Sequence, residues 1–159
     1  TKEDAIGNAM QGMFSMEILF SPDGGVNPFS SMESGGLGYE MTSDNKLAFY
    51  YRANNKWVLP NNNFQIPIQV GQNAYYHAVV TYNKTTFRMY LNGNKVKEMK
   101  VSGSFNFPQK NQAPDYLMGI GGDYRDVVIP SIQNSFIGKI VYARLYKGVL
   151  SESDVKKMN

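Results

Sequence analysis

The sequence of 159 residues contains no cysteine, one histidine and one tryptophan. The absence of cysteine excludes disulfides and thiolate metal sites. One histidine, His77, cannot lead a zinc site, because such a site needs three or four ligands. The sequence also lacks the Gly-x-Ser-x-Gly pattern of a nucleophile elbow. Most metal-dependent and nucleophilic hydrolase sites are therefore excluded.

Charge is also scarce, with 18% charged residues and a net charge of +3. The basic residues are scattered, so no electrostatic footprint for nucleic acid is present. The apolar runs are far shorter than the roughly 20 residues of a membrane-spanning helix. Hydrophobic residues nevertheless make up 42% of the chain, which is enough for a core. We therefore expect one folded domain over residues 1–159, without nucleic-acid binding or membrane insertion.

The sequence is rich in aromatic residues and glycine, with 11 Tyr, 9 Phe and 15 Gly. Apolar residues alternate with polar ones in many short segments separated by turn residues, a pattern typical of strands. Asn92-Gly93 between two such segments is a strong hairpin signal. Pro67 limits any strand within 60–73 to an edge piece. The predicted strands lie at 12–20, 28–33, 37–42, 46–53, 56–59, 116–122 and 136–148, with three more within 74–101. This pattern predicts an all-β sandwich or barrel.

One short helix is predicted at the C-terminus, within 149–159. Ser151 is the expected N-cap, and Asp154 three residues later completes a capping box. Leu150 and Val155 occupy the positions of a hydrophobic staple. The predicted core residues are Phe14, Phe20, Phe49, Tyr82, Phe87, Leu91, Ile120, Ile140, Leu145 and Val155.

The carboxylates do not form the pair that a glycosidase needs. A retaining enzyme places two carboxyl groups about 5–5.5 Å apart, which alternate positions of one strand can provide. Glu17 stands alone among apolar neighbours. Glu33 and Glu40 are seven residues apart and are separated by two glycines. We therefore expect no enzymatic activity, and we expect His77 to be a packed strand residue.

The segment YLMGIGGDYRD (116–126) is glycine-rich but is not a phosphate cradle. It lacks the Gly-x-Gly-x-x-Gly spacing and a following helix whose N-terminus would hold the anion. Asp123 and Asp126, three residues apart on a loop, are candidate Ca²⁺ ligands, because Ca²⁺ takes six to eight oxygen ligands. The alternative is a solvated loop in which both aspartates pair with Arg125 and a nearby lysine.

A second candidate binding segment is FYYRANNKWV (49–58), where Tyr51, Arg52 and Trp57 flank an Asn-Asn turn. Aromatic rings stack on the C–H faces of sugars, and arginine and asparagine hydrogen-bond to sugar hydroxyls. The alternative for these aromatic residues is a place in the core with only the polar tip exposed.

Three segments in order, AYYHAVVTYN (74–83), FRMYLNGNKV (87–96) and FIGKIVYARLYKGVLSESDV (136–155), carry a family resemblance. The chain resembles the concanavalin A-like lectin/glucanase superfamily, in its laminin G-like (pentraxin-like) branch, over residues 12–157. The resemblance implies a two-sheet antiparallel jelly-roll sandwich with one short C-terminal helix. This fold hosts lectins, hydrolases and adhesion modules, so the resemblance is specific for fold and not for function.

The chain is also similar to jelly-roll domains that gut Bacteroidetes append to exported enzymes, including phosphoesterases. A start at Thr1 without a methionine fits a mature product or an excised domain, and with this resemblance we expect a domain excised from a larger exported bacterial protein. The resemblance implies a periplasmic, extracellular or cell-surface location. It also raises the expectation of calcium at the rim of the sandwich.

We therefore expect a non-catalytic carbohydrate-binding accessory module whose partners are a glycan or polysaccharide and a neighbouring domain. The predicted sugar-binding residues lie in loops at one end of the sandwich, around 52–57 and 123–126. They are Tyr51, Arg52, Trp57, Tyr124 and Arg125, with Asp123 and Asp126 as the calcium ligands. The alternative is a structural domain that packs on a neighbouring catalytic domain and binds no free ligand.

Overall fold

The computed structural model describes residues 12–31, 36–53, 56–58, 64–101, 118–124 and 132–159. They form thirteen strands and one helix: β1 (Phe14–Gly25), β2 (Phe29–Ser31), β3 (Leu37–Met41), β4 (Lys46–Ala53), β5 (Lys56–Val58), β6 (Gln65–Pro67), β7 (Tyr76–Tyr82), β8 (Thr86–Leu91), β9 (Asn94–Lys100), β10 (Gly119–Ile120), β11 (Asp123–Tyr124), β12 (Ile132–Gln133), β13 (Phe136–Lys147) and α1 (Glu152–Met158). Within these ranges, no helix has the length and apolar character needed to cross a membrane.

The strands form two antiparallel sheets and a small ladder. The five-stranded sheet has the order β13-β1-β7-β8-β9. The six-stranded sheet has the order β10-β2-β3-β4-β5, and β6 also pairs with β4. β11 and β12 pair with each other. This arrangement is the predicted all-β jelly-roll sandwich, and the three-residue β6 that ends at Pro67 is the predicted short edge piece.

The core lies between the inner faces of the two sheets. From the five-stranded sheet, alternate residues of β1 are fully buried, including Phe14 and Phe20. From the six-stranded sheet, β4 contributes Phe49 and Tyr51. Phe87 on β8 joins the two layers, because its ring centroid lies 5.5 Å from that of Phe49 and 4.7 Å from that of Tyr51. Aromatic contacts across the layers therefore make up the centre of the sandwich.

Most of the predicted core residues are confirmed. Phe14, Phe20, Phe49, Tyr82, Phe87 and Val155 are buried, and Leu91, Ile140 and Leu145 are partly buried and packed against the core. The prediction for Ile120 is wrong, because its side chain is 59% exposed. Ile120 lies on β10, a two-residue strand at the edge of its sheet, so the opposite layer does not cover it.

The turn between β8 and β9 has the hairpin conformation predicted for Asn92-Gly93. Asn92 and Gly93 have φ of 49° and 75°, the left-handed conformations that a two-residue hairpin between twisted strands requires. The Asn92 side chain also accepts a hydrogen bond from the His77 backbone at 2.9 Å, which ties the turn to β7.

The C-terminal helix has the predicted capping box. The Ser151 hydroxyl accepts the Asp154 N–H at 3.1 Å, and the Asp154 carboxylate accepts the Ser151 N–H at 3.0 Å. Val155 is fully buried on the outer face of the five-stranded sheet, where it packs with Val79 and Tyr90, and Leu150 packs against this group. Helix α1 therefore covers part of one outer face of the sandwich.

Candidate functional site

The outer face of the five-stranded sheet holds a buried polar cluster centred on Glu17 of β1. The Glu17 side chain is fully buried. Its Oε1 accepts from His77 Nε2 at 2.8 Å and from the Tyr142 hydroxyl at 3.1 Å. Its Oε2 accepts from the Tyr146 hydroxyl at 2.5 Å and lies 3.5 Å from Arg144 Nη1. Four partners on β7 and β13 thus surround one carboxylate.

The cluster holds Glu17 in its charged form. Burial alone raises the pKa of the Glu17 carboxyl, but hydrogen bonds from Tyr146, His77 and Tyr142 outweigh burial and leave the pKa below its ordinary value. Burial and the neighbouring Glu17 charge raise the pKa values of the Tyr142 and Tyr146 hydroxyls. Since the carboxylate is enclosed and its oxygens already have donors, it is not available to a substrate.

The sequence interpretation missed this cluster, because Glu17 stood alone among its neighbours in sequence. The structure confirms that His77 is packed and hydrogen-bonded. The available signal was the alternation Tyr142, Arg144, Tyr146 on β13, which puts three polar side chains on one face. The register pairs Arg144 directly with Glu17.

The outer face of the six-stranded sheet carries a different polar set, which we call the β3–β4 stripe: Glu40, Tyr50 and Arg52. The three side chains are partly exposed. On β4, Tyr50 and Arg52 alternate with the buried Phe49 and Tyr51, so they point away from the core. Glu40 lies on the neighbouring strand β3, and the Tyr50 hydroxyl hydrogen-bonds to its carboxylate.

The electrostatics of the stripe differ from those of the Glu17 cluster. Burial raises the pKa of the Glu40 carboxyl, and the hydrogen bond from Tyr50 only partly offsets this. Burial together with the Glu40 charge raises the pKa of Tyr50 to about 12. A carboxylate that is desolvated and incompletely compensated is a common feature of binding sites.

The prediction that Tyr51 binds sugar is wrong. Tyr51 is 1% exposed and its ring packs on Phe87, so it cannot stack on a sugar. The physical reason is strand alternation, since Tyr51 shares the inner face with Phe49. Arg52 lies on the outer face and is partly exposed. Trp57 is the register partner of Arg52 across β4 and β5, and its side chain lies outside what the structure describes.

The second predicted loop is only partly described. The backbones of Asp123 and Tyr124 form β11, which contacts β2 and β10. Arg125 and Asp126 lie outside the described residues. Strands β3 and β4 separate β2 from β5, so β11 and the Arg52–Trp57 pair lie toward opposite edges of the sheet. Within the described ranges no group of three His, Asp or Glu could hold a metal ion, and the calcium prediction for Asp123 and Asp126 stays a prediction.

The family comparison covers nearly the whole chain. A laminin G family model, described as the concanavalin A-like lectin/glucanases superfamily, matches residues 13–156. No curated protein sequence matches the chain significantly.

Several solved structures share the fold. The binding domain of botulinum neurotoxin DC, solved with rat synaptotagmin II, has a TM-score of 0.67 and 17% identity, with 98% of this chain and 37% of that chain covered. A candidate carbohydrate-binding protein from Bacteroides ovatus has a TM-score of 0.66 and 18% identity, with 92% of this chain and 40% of that chain covered. Domain 4 of a GH43 extracellular arabinanase from Geobacillus stearothermophilus was solved with arabinotriose. It has a TM-score of 0.64 and 15% identity, with 94% of this chain and 68% of that chain covered.

At these identities the likeness shows the fold alone. This chain spans well under half of the neurotoxin domain and of the Bacteroides protein. The fold therefore occurs in those proteins as one part of a longer polypeptide.

Proposed function

Because the chain belongs to the concanavalin A-like lectin/glucanases superfamily, in its laminin G-like branch, we propose that it is a non-catalytic carbohydrate-binding module. In this proposal it is an accessory part of a larger exported bacterial protein and acts in the periplasm, outside the cell or at the cell surface. Two of the similar structures support a sugar ligand, since one was solved with arabinotriose and another is a candidate carbohydrate-binding protein.

The observation that carries the proposal is the pairing of Arg52 with Trp57. Directly opposed residues of an antiparallel pair have Cα atoms only about 4.5–5.5 Å apart. The backbone of Trp57, the single tryptophan of the chain, therefore lies opposite that of the partly exposed Arg52. Tryptophan offers an aromatic face for stacking and arginine offers several hydrogen-bond donors, the two kinds of contact that recognise sugars.

A glycan array, followed by calorimetry on the sugars that bind, tests the proposal. We expect Trp57→Ala to weaken sugar binding about tenfold, the loss of roughly 1–2 kcal/mol of stacking and burial. Tyr75→Ala, which removes a half-exposed aromatic ring elsewhere on the surface, is the matched control and leaves affinity unchanged. Equal affinity of Trp57→Ala and wild-type protein would remove Trp57 from the site.

Calcium at Asp123 and Asp126 is part of this proposal. A ligand that binds only the folded state stabilises it by about 2.7 kcal/mol when its concentration is a hundred times Kd. We expect the melting temperature to be higher in CaCl₂ than in EDTA, and we expect Asp126→Asn to lose this difference. Identical melting in the two buffers would show that the loop is solvated and binds no calcium.

A structural domain that packs on a neighbouring catalytic domain is the second candidate function, and one observation favours it. Ile120, Ile132, Ile137 and Val141 are each more than half exposed, on or beside edge strands of the sandwich. An apolar surface at the edge of a sheet is one on which a neighbouring domain can pack. This function predicts no sugar binding on the array and no ligand-induced change in melting temperature.

A further inference from the structure

We infer that residues 142–158, the end of β13 together with helix α1, form a clasp that opens as one unit while the rest of the sandwich stays folded, and that Glu17 holds this clasp closed. The clasp is attached to β1 by hydrogen bonds more than by apolar packing, and a β-bulge in β13 is its hinge. This property of the fold is independent of the proposed sugar binding.

The clasp buries little apolar surface. None of the twelve residues of β13 is buried, whereas eight of the twelve in β1 are. Within the clasp, Ala143 and Leu145 are only partly buried against the core, and Val155 is the single buried residue of α1. Segments with few buried apolar contacts open at a lower free energy than core strands do.

Glu17 supplies the strongest attachment of the clasp. Its carboxylate accepts from the Tyr142 hydroxyl at 3.1 Å and from the Tyr146 hydroxyl at 2.5 Å, and Arg144 Nη1 lies 3.5 Å away. These three partners belong to the clasp, whereas His77 lies on β7. Hydrogen bonds to a charged group are stronger than those between neutral groups. Loss of the Glu17 charge should therefore favour the open clasp.

A second buried polar residue of β1 holds the connection between β13 and α1. The Ser15 hydroxyl donates to the Gly148 carbonyl at 2.9 Å and accepts from the Leu150 N–H at 2.9 Å. Ser15 is fully buried and lies two residues from Glu17, so both side chains are on the same face of β1. Because β13 and α1 are attached to one short stretch of β1, we expect them to be released together.

A β-bulge separates the clasp from the first half of β13. Leu19 pairs with Tyr142 and Phe20 pairs with Ile140, so Val141 is an extra residue without a register partner on β1. A bulge interrupts the ladder and bends the strand. The Val141 side chain is 57% exposed, so a change in its backbone conformation displaces no core side chain. These features place the hinge at Val141.

The rest of the sandwich keeps its own attachments when the clasp opens. The Phe136 ring, before the hinge, packs edge-on against Phe20 with ring centroids 5.9 Å apart, and the Phe136 N–H donates to the Gly121 carbonyl at 3.0 Å. β1 remains paired with β7 from Phe14 to Phe20. Among the described strands β13 is the outermost of its sheet, so its release frees an edge of β1 for pairing with another strand.

Native-state hydrogen exchange, followed by NMR at increasing urea concentrations below the unfolding transition, tests the inference. We expect the slow amides of β7 and β8 to exchange only through global unfolding, with a steep dependence on urea. The protected amides of residues 142–158 should share a smaller opening free energy and a weaker dependence on urea, because opening the clasp exposes less surface.

Three variants and one control identify what holds the clasp. Glu17→Gln, and separately Tyr146→Phe, should speed exchange within residues 142–158 at least tenfold, since a hydrogen bond to a charged group is weakened or lost. Leu47→Val, in the core side of the other sheet, should speed exchange in β7 and β8 several-fold and leave the clasp unchanged. Glu98→Gln, at an exposed glutamate of β9, is the matched control and changes neither.

A separate, shared opening of residues 142–158 that responds to Glu17→Gln and Tyr146→Phe but not to Leu47→Val supports the inference. A single opening free energy for the clasp, β7 and β8, with Leu47→Val speeding all of them alike, overturns it. Exchange of α1 alone, while β13 follows β7, shows only a fraying helix and also overturns it. A clasp that opens separately but ignores both Glu17→Gln and Tyr146→Phe overturns the role of Glu17.

Discussion

Glu17 and Glu40 lie on the outer faces of the two sheets, yet their pKa values move in opposite directions. Burial raises both values, but three hydrogen bonds to Glu17 outweigh it, whereas the single hydrogen bond from Tyr50 to Glu40 does not. The enclosed carboxylate joins β1, β7 and β13, while burial of the partly exposed Glu40 carboxyl outweighs the hydrogen bond from Tyr50. The same residue type is thus enclosed and fully hydrogen-bonded on one face and partly exposed on the other.

The largest effect is expected at Glu17. Glu17→Leu leaves the His77, Tyr142 and Tyr146 donors without their acceptor, and we expect a loss of about 3–5 kcal/mol in the free energy of unfolding, measured by urea denaturation. Glu98→Leu, at an exposed glutamate, should change stability by less than about 0.5 kcal/mol. Equal effects of the two substitutions would contradict a structural role for the Glu17 cluster.

A smaller effect is expected at Gly36, beneath the stem of Arg52. Gly36 and Gly71 have nearly the same φ, 75° and 74°, but only at Gly36 would a Cβ meet another side chain. The conformational strain of an alanine is therefore matched at the two positions. We expect Gly36→Ala to be about 1–3 kcal/mol less stable than Gly71→Ala, because the added methyl overlaps Arg52. Similar losses for both would show that the Arg52 side chain does not pack against Gly36.

The smallest effect, and one of opposite sign to that at Glu17, is expected at Glu40. Because its pKa is raised by folding, the charged form is disfavoured in the folded state at neutral pH. We expect Glu40→Gln to raise the free energy of unfolding at pH 7 by about 0.5 kcal/mol or less. The gain should vanish at pH 4, where the wild-type carboxyl is largely protonated. A clear destabilisation by Glu40→Gln would place Glu40 with Glu17 as a structural residue.

The pH dependence of stability separates the two carboxyl groups. Folding lowers the pKa of Glu17, so its contribution is present above the unfolded value of about 4.3 and is lost as the pH falls through the folded pKa. Folding raises the pKa of Glu40, so the folded state binds this proton more tightly, and stability declines as the pH rises from about 4.3 through the folded pKa. Urea denaturation of wild type, Glu17→Gln and Glu40→Gln across pH 3–7 measures the two contributions.

Local signals explain what could be predicted from the sequence. The hairpin at Asn92-Gly93 and the capping box of Ser151 and Asp154 depend on residues a few positions apart, and both are confirmed. The Glu17 cluster could not be found in this way, because its tyrosine partners are 125 and 129 positions away and meet Glu17 only after β13 pairs with β1.

The candidate site shows the same division between local pattern and strand pairing. Leu47, Phe49 and Tyr51 alternate along β4, and this pattern alone places Tyr51 in the core. The sugar-binding prediction for Tyr51 depended instead on its position close to the turn. The sequence pattern indicates no partner for Glu40 other than Glu33. The nearness of Glu40 to Tyr50 depends on the register of β3 with β4, which joins residues ten positions apart and is not visible in the local pattern of either strand.

Amide chemical-shift mapping by NMR, with a sugar that binds on the glycan array, tests the central claim most directly. The account predicts that the shifted amides cluster where β4 pairs with β5, around Arg52 and Trp57, while those of β7 and β13 around Glu17 stay unchanged. Shifts confined to β13 and the helix, or to residues 123–126 alone, would contradict it.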